Sequence, residues 1–339
     1  MIKIDIVGGS LSGLSTAITI KEHDKKIKVD IHEKHKKIGY NHEGRRCGEA
    51  YPIYKKLIKW LPLEKSIFNI IEKVDFVIGD KTYVMPKPPS VLSLLVVDRQ
   101  EFISQLGRQA AELGVEIQTN DKIKSINDLD GDYIVDASGC PSSIKRELGF
   151  RRGIKGISYQ QTLEDSNYLT SDTIRCIITE SIGYYWIFPR NPEKKEINLG
   201  VGLMRNLKCN LKEMLELFKK EWEITGKINY VTGGLVPAGL QRPLMYNNIL
   251  FVGDAGVGTF PFTGAGICRA LLSGEIAGKC IAARKVKQYP KIINRKFIKL
   301  DVIGTTSIRV GEILQKIGAK SYLKSLKYFY ELFYFPTIY

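Results

Sequence analysis

The 339-residue sequence predicts an α/β protein in which a doubly wound parallel sheet is interrupted by a second, antiparallel domain. Three observations carry that expectation. The chain opens on a strand-like run ending at Val7, turns through Gly8-Gly9-Ser10-Leu11-Ser12-Gly13 and enters an apolar helix. A second strand-like run, Lys28–Glu33, closes on an acid twenty residues past Gly13, which is the spacing of a βαβ nucleotide-binding unit. A long stretch from about Tyr159 to Tyr230 alternates apolar and polar residues, the pattern of half-buried antiparallel strands.

Each element has a local reason. Gly8 permits the tight turn, the small Ser10 lets backbone approach a pyrophosphate, and Gly13 lets helix and strand pack closely. The helix N-terminus offers N–H groups and a positive dipole end to phosphates, and Glu33 is spaced to accept both hydroxyls of an adenosine ribose. After a loop at 34–47, a helix is expected over about Ala50–Trp60. Lys73–Val97 alternates short strands with the turn Gly79-Asp80 and the run Pro86-Lys-Pro-Pro89. Asp98–Leu113 reads as a helix with Arg99 at its start, and Val115–Ile117, Lys122-Ile123-Lys124 and Asp132–Gly139 read as strands. A helix starts near Ser142. Thr173–Thr179, Tyr184–Phe188 and Ile197–Met204 are expected strands, and Leu211–Trp222 an amphipathic helix. Asn248–Ala255 reads as a buried strand; a glycine loop follows to Gly266, and a long helix from near Ile267 runs into a basic segment. The expected division is 1–72, 98–158 and 244–300 for the Rossmann-type domain, 73–97 and 159–243 for the antiparallel domain, and 301–339 for a helical, aromatic-rich end.

Composition bounds the class. A hydrophobic fraction of 44% and a charged fraction of 26% suit a globular protein, and no apolar run reaches bilayer-spanning length. The first apolar run feeds a phosphate loop and is not a signal peptide. Six cysteines without CxxC or zinc spacing, and four scattered histidines, predict no metal site and a reducing, cytoplasmic setting. The net charge of +15 predicts attraction to polyanions. Eight Lys and Arg residues lie between Lys279 and Lys299 with no acid among them. No nucleic-acid-binding pattern accompanies them, so peripheral contact with an anionic membrane surface is expected in preference to nucleic acid; a generic lysine-rich surface is the plain alternative.

Four elements resemble flavoproteins of the p-hydroxybenzoate hydroxylase type. The strand ending in Gly253-Asp254 is similar to the one whose carboxylate meets the FAD ribityl chain. The loop Gly264-Ala265-Gly266-Ile267 resembles the segment that brings N–H groups and a helix N-terminus to the flavin ring. Asp136-Ala-Ser-Gly139 is similar to the family's Asp-Gly motif with Ser138 inserted, and Arg99 to its cofactor-contacting arginine. The resemblance implies FAD bound by Gly8, Gly9, Ser10, Ser12, Gly13, Glu33, Arg99, Ile123, Gly139, Gly253, Asp254 and Gly264–Ile267, with Cys47, Gly48 and Ala50 beside it. No second Gly-x-Gly-x-x-Gly unit is present; NAD(P)H would bind transiently, or another protein would supply electrons.

Arg45-Arg-Cys47-Gly48-Glu49-Ala50 and Tyr184-Tyr-Trp186-Ile-Phe188-Pro189, with Gly200-Val-Gly202 further on, resemble the geranylgeranyl reductase family, which includes archaeal digeranylgeranylglycerophospholipid reductases. The resemblance runs from Met1 to about Lys285. It implies an FAD-dependent oxidoreductase that saturates C=C bonds of geranylgeranyl chains in archaeal membrane-lipid precursors, by hydride from flavin N5 and a proton from Cys47 or a water it positions. From the residues alone, Tyr184, Trp186 and Phe188 share one strand face and form either plain core or the lining of an apolar slot. Cys47 is either a reactive thiol, given two preceding arginines, or a buried one. A flavin monooxygenase of the same fold and a non-catalytic FAD-containing isoprenoid carrier are the other readings. Tyr322–Tyr339 holds eight aromatics and would lie at a membrane interface or cap the substrate domain.

Overall fold

A computed structural model describes residues 1–40, 48–87, 89–150, 153, 155–179, 182–204, 208–261 and 263–317. The strands are β1 (Lys3–Val7), β2 (Lys28–Glu33), β3 (Ala50–Tyr54), β4 (Ile67–Ile71), β5 (Lys73–Ile78), β6 (Lys81–Pro86), β7 (Val91–Val97), β8 (Glu116–Thr119), β9 (Tyr133–Asp136), β10 (Lys155–Glu164), β11 (Thr173–Ile178), β12 (Gly183–Asn191), β13 (Glu196–Met204), β14 (Lys227–Pro237), β15 (Met245–Tyr246) and β16 (Ile249–Phe251). The α-helices are α1 (Leu11–His23), α2 (Arg99–Glu112), α3 (Ser143–Glu147), α4 (Leu211–Glu221), α5 (Gly253–Gly256), α6 (Ile267–Ala282) and α7 (Tyr289–Ile317). Contacts group them into two units, Met1–Gly44 with Arg99–Ile154 and Val236–Thr305, and Arg45–Asp98 with Lys155–Leu235 and Thr306–Tyr339.

The first unit is built on a six-stranded sheet of order β15-β16-β9-β1-β2-β8. Its strands from β16 to β8 run parallel, and β15 closes the edge antiparallel. Ile4, Ile6, Val29 and Ile31 are buried on one face and Asp5, Val7 and Asp30 on the other, as expected of strands covered on both faces. Helices α1 and α6 meet closely because their facing residues are small. A Cβ on Gly274 would stand 2.1 Å from Ser15 Oγ and one on Gly278 2.8 Å from Thr16 O, so only glycine admits the neighbouring backbone.

The second unit holds a seven-stranded sheet, β14-β10-β13-β12-β11-β5-β6, and a three-stranded one, β3-β7-β4. All the recorded pairings in these sheets are antiparallel except β11 with β5. Alternation decides the faces. Tyr185 stacks on Phe218 of α4 at 4.1 Å, above a core of Ile187, Leu199, Val201, Leu203 and Leu215. On the opposite face Tyr184 and Phe188 pack with Ile174 and Cys176 of the large sheet and Ile71 and Val96 of the small one.

Several expectations are corrected. Ala50–Trp60 is not a helix but β3 followed by a 3-10 turn, Lys55–Trp60; Tyr51 and Ile53 alternate inward, the period of a strand. Because β3 and β4 both pair with β7, the boundary falls earlier than expected, and 45–72 groups with the antiparallel unit. Lys122–Lys124 is not a strand; the Asp128 carboxylate draws it into a turn by accepting from the N–H of Lys124 and of Ser125. The strand expected over Asn248–Ala255 spans Ile249–Phe251, and Gly253 opens a short helix. The helix from Ile267 stops at Ala282, where Arg284 turns left-handed (φ +59°) and the Lys285 N–H reaches Cys280 O at 2.8 Å. The expected Cys47 loop and the Tyr322–Tyr339 end lie outside the described residues. Among those described, no helix is long and apolar enough to cross a membrane, and no metal-ligating cluster occurs.

Candidate functional site

In the first unit the glycine turn has the predicted reasons. Gly8 sits at φ +108°, and a Cβ there would stand 2.7 Å from Ala137 O; one on Gly13 would stand 2.1 Å from Gly8 O. Ser10 does more than stay small. It caps α1 by accepting from the Gly13 N–H at 3.4 Å, and donates to Ala137 O at 3.1 Å, pinning the turn to the end of β9. Ser12 Oγ lies 3.1 Å from Ser10 Oγ. At the end of β2, Glu33 aims back at the turn: Oε2 accepts the Gly9 N–H at 2.8 Å and Oε1 the His35 N–H at 2.9 Å.

Ser138, the residue that splits the Asp-Gly pair, anchors Asp136. Oδ1 of this buried carboxylate accepts from the Ser138 N–H and Oγ, and Oδ2 from Ser142 Oγ; burial raises its pKa against those bonds. The hydroxyls supply what water would have supplied. Beyond them, Gly139 is left-handed (φ +89°) with no atom within 4 Å of where a Cβ would sit, so the chain is open there.

Asp254 lies in the first turn of α5. Burial raises its carboxyl, while Arg99 and Arg269 pull it down; Arg99, at the start of α2, thus stands within electrostatic reach of Asp254. Gly253 (φ +54°) donates its N–H to Ser273 Oγ at 2.9 Å, and its missing Cβ would meet Ser12 Oγ at 2.3 Å. The following loop folds on itself, with the Gly264 N–H on Phe260 O and the Phe260 N–H on Ala265 O. Gly266 then caps the 16-residue α6 with no side-chain hydrogen bond.

One residue that fixes this loop carried no motif. Arg269 is fully buried and donates to Gly258 O (3.0 Å), Val257 O (2.6 Å) and both oxygens of Asp301 on α7. A lone arginine in an apolar helix, and an acid in the apolar stripe of α7, were the available signals. Ile123 packs against the cluster of Val7, Ile134, Ile144, Ile249 and Phe251.

In the second unit the Gly-x-Gly pair turns out to be a floor for the indole. A Cβ on Gly200 would stand 2.2 Å from Trp186 Cζ2 and one on Gly202 3.4 Å from Cζ3, so Trp186 lies across β13 and donates from Nε1 to Gln160 Oε1 on β10 at 3.1 Å. Tyr184, Trp186 and Phe188 share a face, with centroids 5.8 and 6.4 Å apart. Gly48 lies against the Phe188 ring, where a Cβ would meet Cε2 at 2.5 Å. Glu49 follows in a left-handed conformation (φ +64°), and its Oε2 accepts from Arg190 Nε at 2.6 Å and Asn198 Nδ2 at 3.0 Å. Arg190 also donates to Glu196 and stacks over Phe68 at 3.9 Å. Ala50 pairs with Val96 in the small sheet. The two motif segments are therefore joined by Gly48–Phe188 and Glu49–Arg190. Glu49, Arg190, Glu196 and Asn198 were not singled out from sequence; polar residues at buried strand positions were the only sign.

The first unit fits a dinucleotide: a capped glycine turn, a carboxylate at the next strand end, an open Gly139 and a helix N-terminus without a side-chain cap. The fold is the p-hydroxybenzoate hydroxylase-like architecture. No protein-family model matches the chain. It is similar to the digeranylgeranylglycerophospholipid reductase of Methanothrix thermoacetophila, 24% identical over 82% of this chain and 76% of that one, and to that of Methanocaldococcus jannaschii, 25% identical over 96% and 95%. Alignments with three further relatives of that name span 52–54% of their lengths. Among solved structures it resembles a geranylgeranyl bacteriochlorophyll reductase-like protein from Thermoplasma acidophilum, with a TM-score of 0.80 and 20% identity over 96% of this chain and 90% of that one. It also resembles CtdE in complex with FAD and a substrate, with a TM-score of 0.67 and 16% identity over 91% and 89%. The resemblance to the geranylgeranyl reductases read from the motifs is borne out by these relatives.

Proposed function

We propose that the protein reduces C=C bonds in the geranylgeranyl chains of membrane-lipid precursors, with FAD as its cofactor. FAD, when bound, supplies the hydride. Such alkenes carry no activating carbonyl, so positive charge develops on the more substituted carbon as the bond is reduced. The observation that carries the reading is the β12 face, where Tyr184, Trp186 and Phe188 line up beside the Gly48–Glu49 turn. Aromatic faces stabilise a nearby cation, and apolar walls exclude water that would compete for it.

The remaining roles follow from chemistry. Glu33 would hold the adenosine ribose, the Gly8–Gly13 turn and the α1 N-terminus the pyrophosphate, and Asp254 with Arg99 the ribityl end. Gly264–Ile267 at the α6 N-terminus would face the flavin ring, where a helix dipole favours negative charge. Cys47, next to Gly48 in the chain, is the candidate proton donor, directly or through a water. NAD(P)H or a protein partner supplies electrons.

Anaerobic mixing of reduced holoprotein with a geranylgeranyl lipid tests this. The expected outcome is flavin reoxidation with two hydrogens gained per double bond, read by mass spectrometry. Oxygen consumption coupled to hydroxylation would instead make the protein a monooxygenase, and lipid binding without turnover would make it a carrier.

A further inference from the structure

Helix α7 carries a surface that neither the cofactor site nor the aromatic face uses. Its 29 residues are buried along one stripe, Ile293, Phe297, Asp301, Gly304 and Ile308, which holds it to the protein. The opposite stripe exposes Ile292, Ile298, Val302, Ile303, Val310 and Ile313, between 36% and 60% open to solvent. Lys291, Arg295, Lys299, Arg309 and Lys316 are exposed between them, and no exposed residue of the described helix is acidic. From Lys291 to Ile303 this pattern lies wholly within the first unit.

Single exposed aliphatics are ordinary; six on the open face of one helix, with basic side chains among them and no exposed acid, form a patterned surface. At 1.5 Å per residue the part of this face within the first unit, Ile292 to Ile303, is about 16 Å long. Nucleic acid would use the cations and gain nothing from branched aliphatics. An aqueous surface would use neither. A helix with aliphatics on its open face and basic side chains among them, whose stems can lie along the apolar surface while their heads reach phosphates, suits the interface of an anionic bilayer.

We propose that the exposed face of α7 binds the surface of an anionic lipid bilayer, lying in the headgroup plane. The inference does not depend on the proposed reaction, since it is read by binding alone. It predicts that the full-length holoprotein co-sediments with vesicles containing phosphatidylglycerol but weakly with phosphatidylcholine alone, and that added salt weakens binding. A cation near such a surface contributes about a factor of five in partitioning. The variant combining Lys291→Gln, Arg295→Gln and Lys299→Gln should therefore bind about a hundredfold less. Independently, Val302→Ser with Ile303→Ser should lower binding while leaving the charge unchanged. All these side chains are exposed, so both variants are expected to fold.

Undiminished binding by either variant would overturn the proposal. So would loss of binding in the full chain carrying Phe333→Ser and Phe335→Ser with α7 unchanged, which would assign the contact to the aromatic end. Retention on heparin without vesicle binding would point to nucleic acid, and concentration-dependent dimerisation without vesicle binding would assign the face to a second copy; either result overturns it.

Discussion

Replacing Arg190 by Met tests the link between the two motif segments of the second unit. Arg190 is 6% exposed, and the carboxylates it holds, Glu49 and Glu196, are each 2% exposed. Met keeps the aliphatic stem beside Phe68 but leaves two buried carboxylates without this cation. Removing one partner of a buried ion pair costs ~3–5 kcal/mol, a large share of a domain stability of ~5–15 kcal/mol. With a urea slope of roughly 2–3 kcal/mol/M, the unfolding midpoint should fall by about 1–2 M. The loss should shrink on acidification, because stranded carboxylates can take up protons in the folded state. Combining Arg190→Met with Glu49→Gln and Glu196→Gln should recover most of it, since neutral groups of similar shape carry no uncompensated charge. Denaturation monitored by far-UV circular dichroism at two pH values reads all three effects. A single variant within ~1 kcal/mol of the parent, or a triple variant less stable than the single, would refute the reasoning, because either would mean the network's charges are not buried against one another.

Other outcomes follow from the same geometry. Gly200→Ala puts a methyl where Trp186 lies 2.2 Å away; it should destabilise by ~1–3 kcal/mol and red-shift tryptophan emission, and unchanged emission would remove the floor role. The Asp5 carboxylate, 3.5 Å from Nε2, is the largest cause raising the His32 pKa, opposed by burial and helped by Asp121. A raised folded pKa means stability present below the unfolded value of about 6.5 and lost as pH climbs through the folded one. His32→Gln should therefore cost more at low pH than well above neutrality; equal losses would show that packing, not charge, is at work. Cys47→Ala should keep the flavin spectrum and slow lipid-dependent flavin reoxidation by about a hundredfold; an unchanged rate would exclude the thiol as proton donor.

The βαβ unit was legible because its causes are local. A tight turn needs Gly8, a cap needs Ser10, and apolar runs with period-two or helical spacing identify β1, α1 and β2 without knowledge of any partner. The same holds for α4 and for the shared face of Tyr184, Trp186 and Phe188. Ala50–Trp60 departs from its expected helix because its strand exists only by pairing with β7, and the helix from Ile267 stops short of the basic segment because a left-handed arginine, not a glycine or proline, ends it.

What the sequence determined by itself was therefore the nucleotide-binding unit, the alternating-strand insertion and the aromatic face of β12, all set by interactions within a few residues. Tertiary structure alone decided that Gly200 and Gly202 make room for an indole, that Arg190 holds Glu49, and that Arg269 ties the glycine loop to Asp301. Those assignments join positions 11 to 141 residues apart, and a charged or glycine residue has no local preference that reveals which distant group it will meet when both are buried.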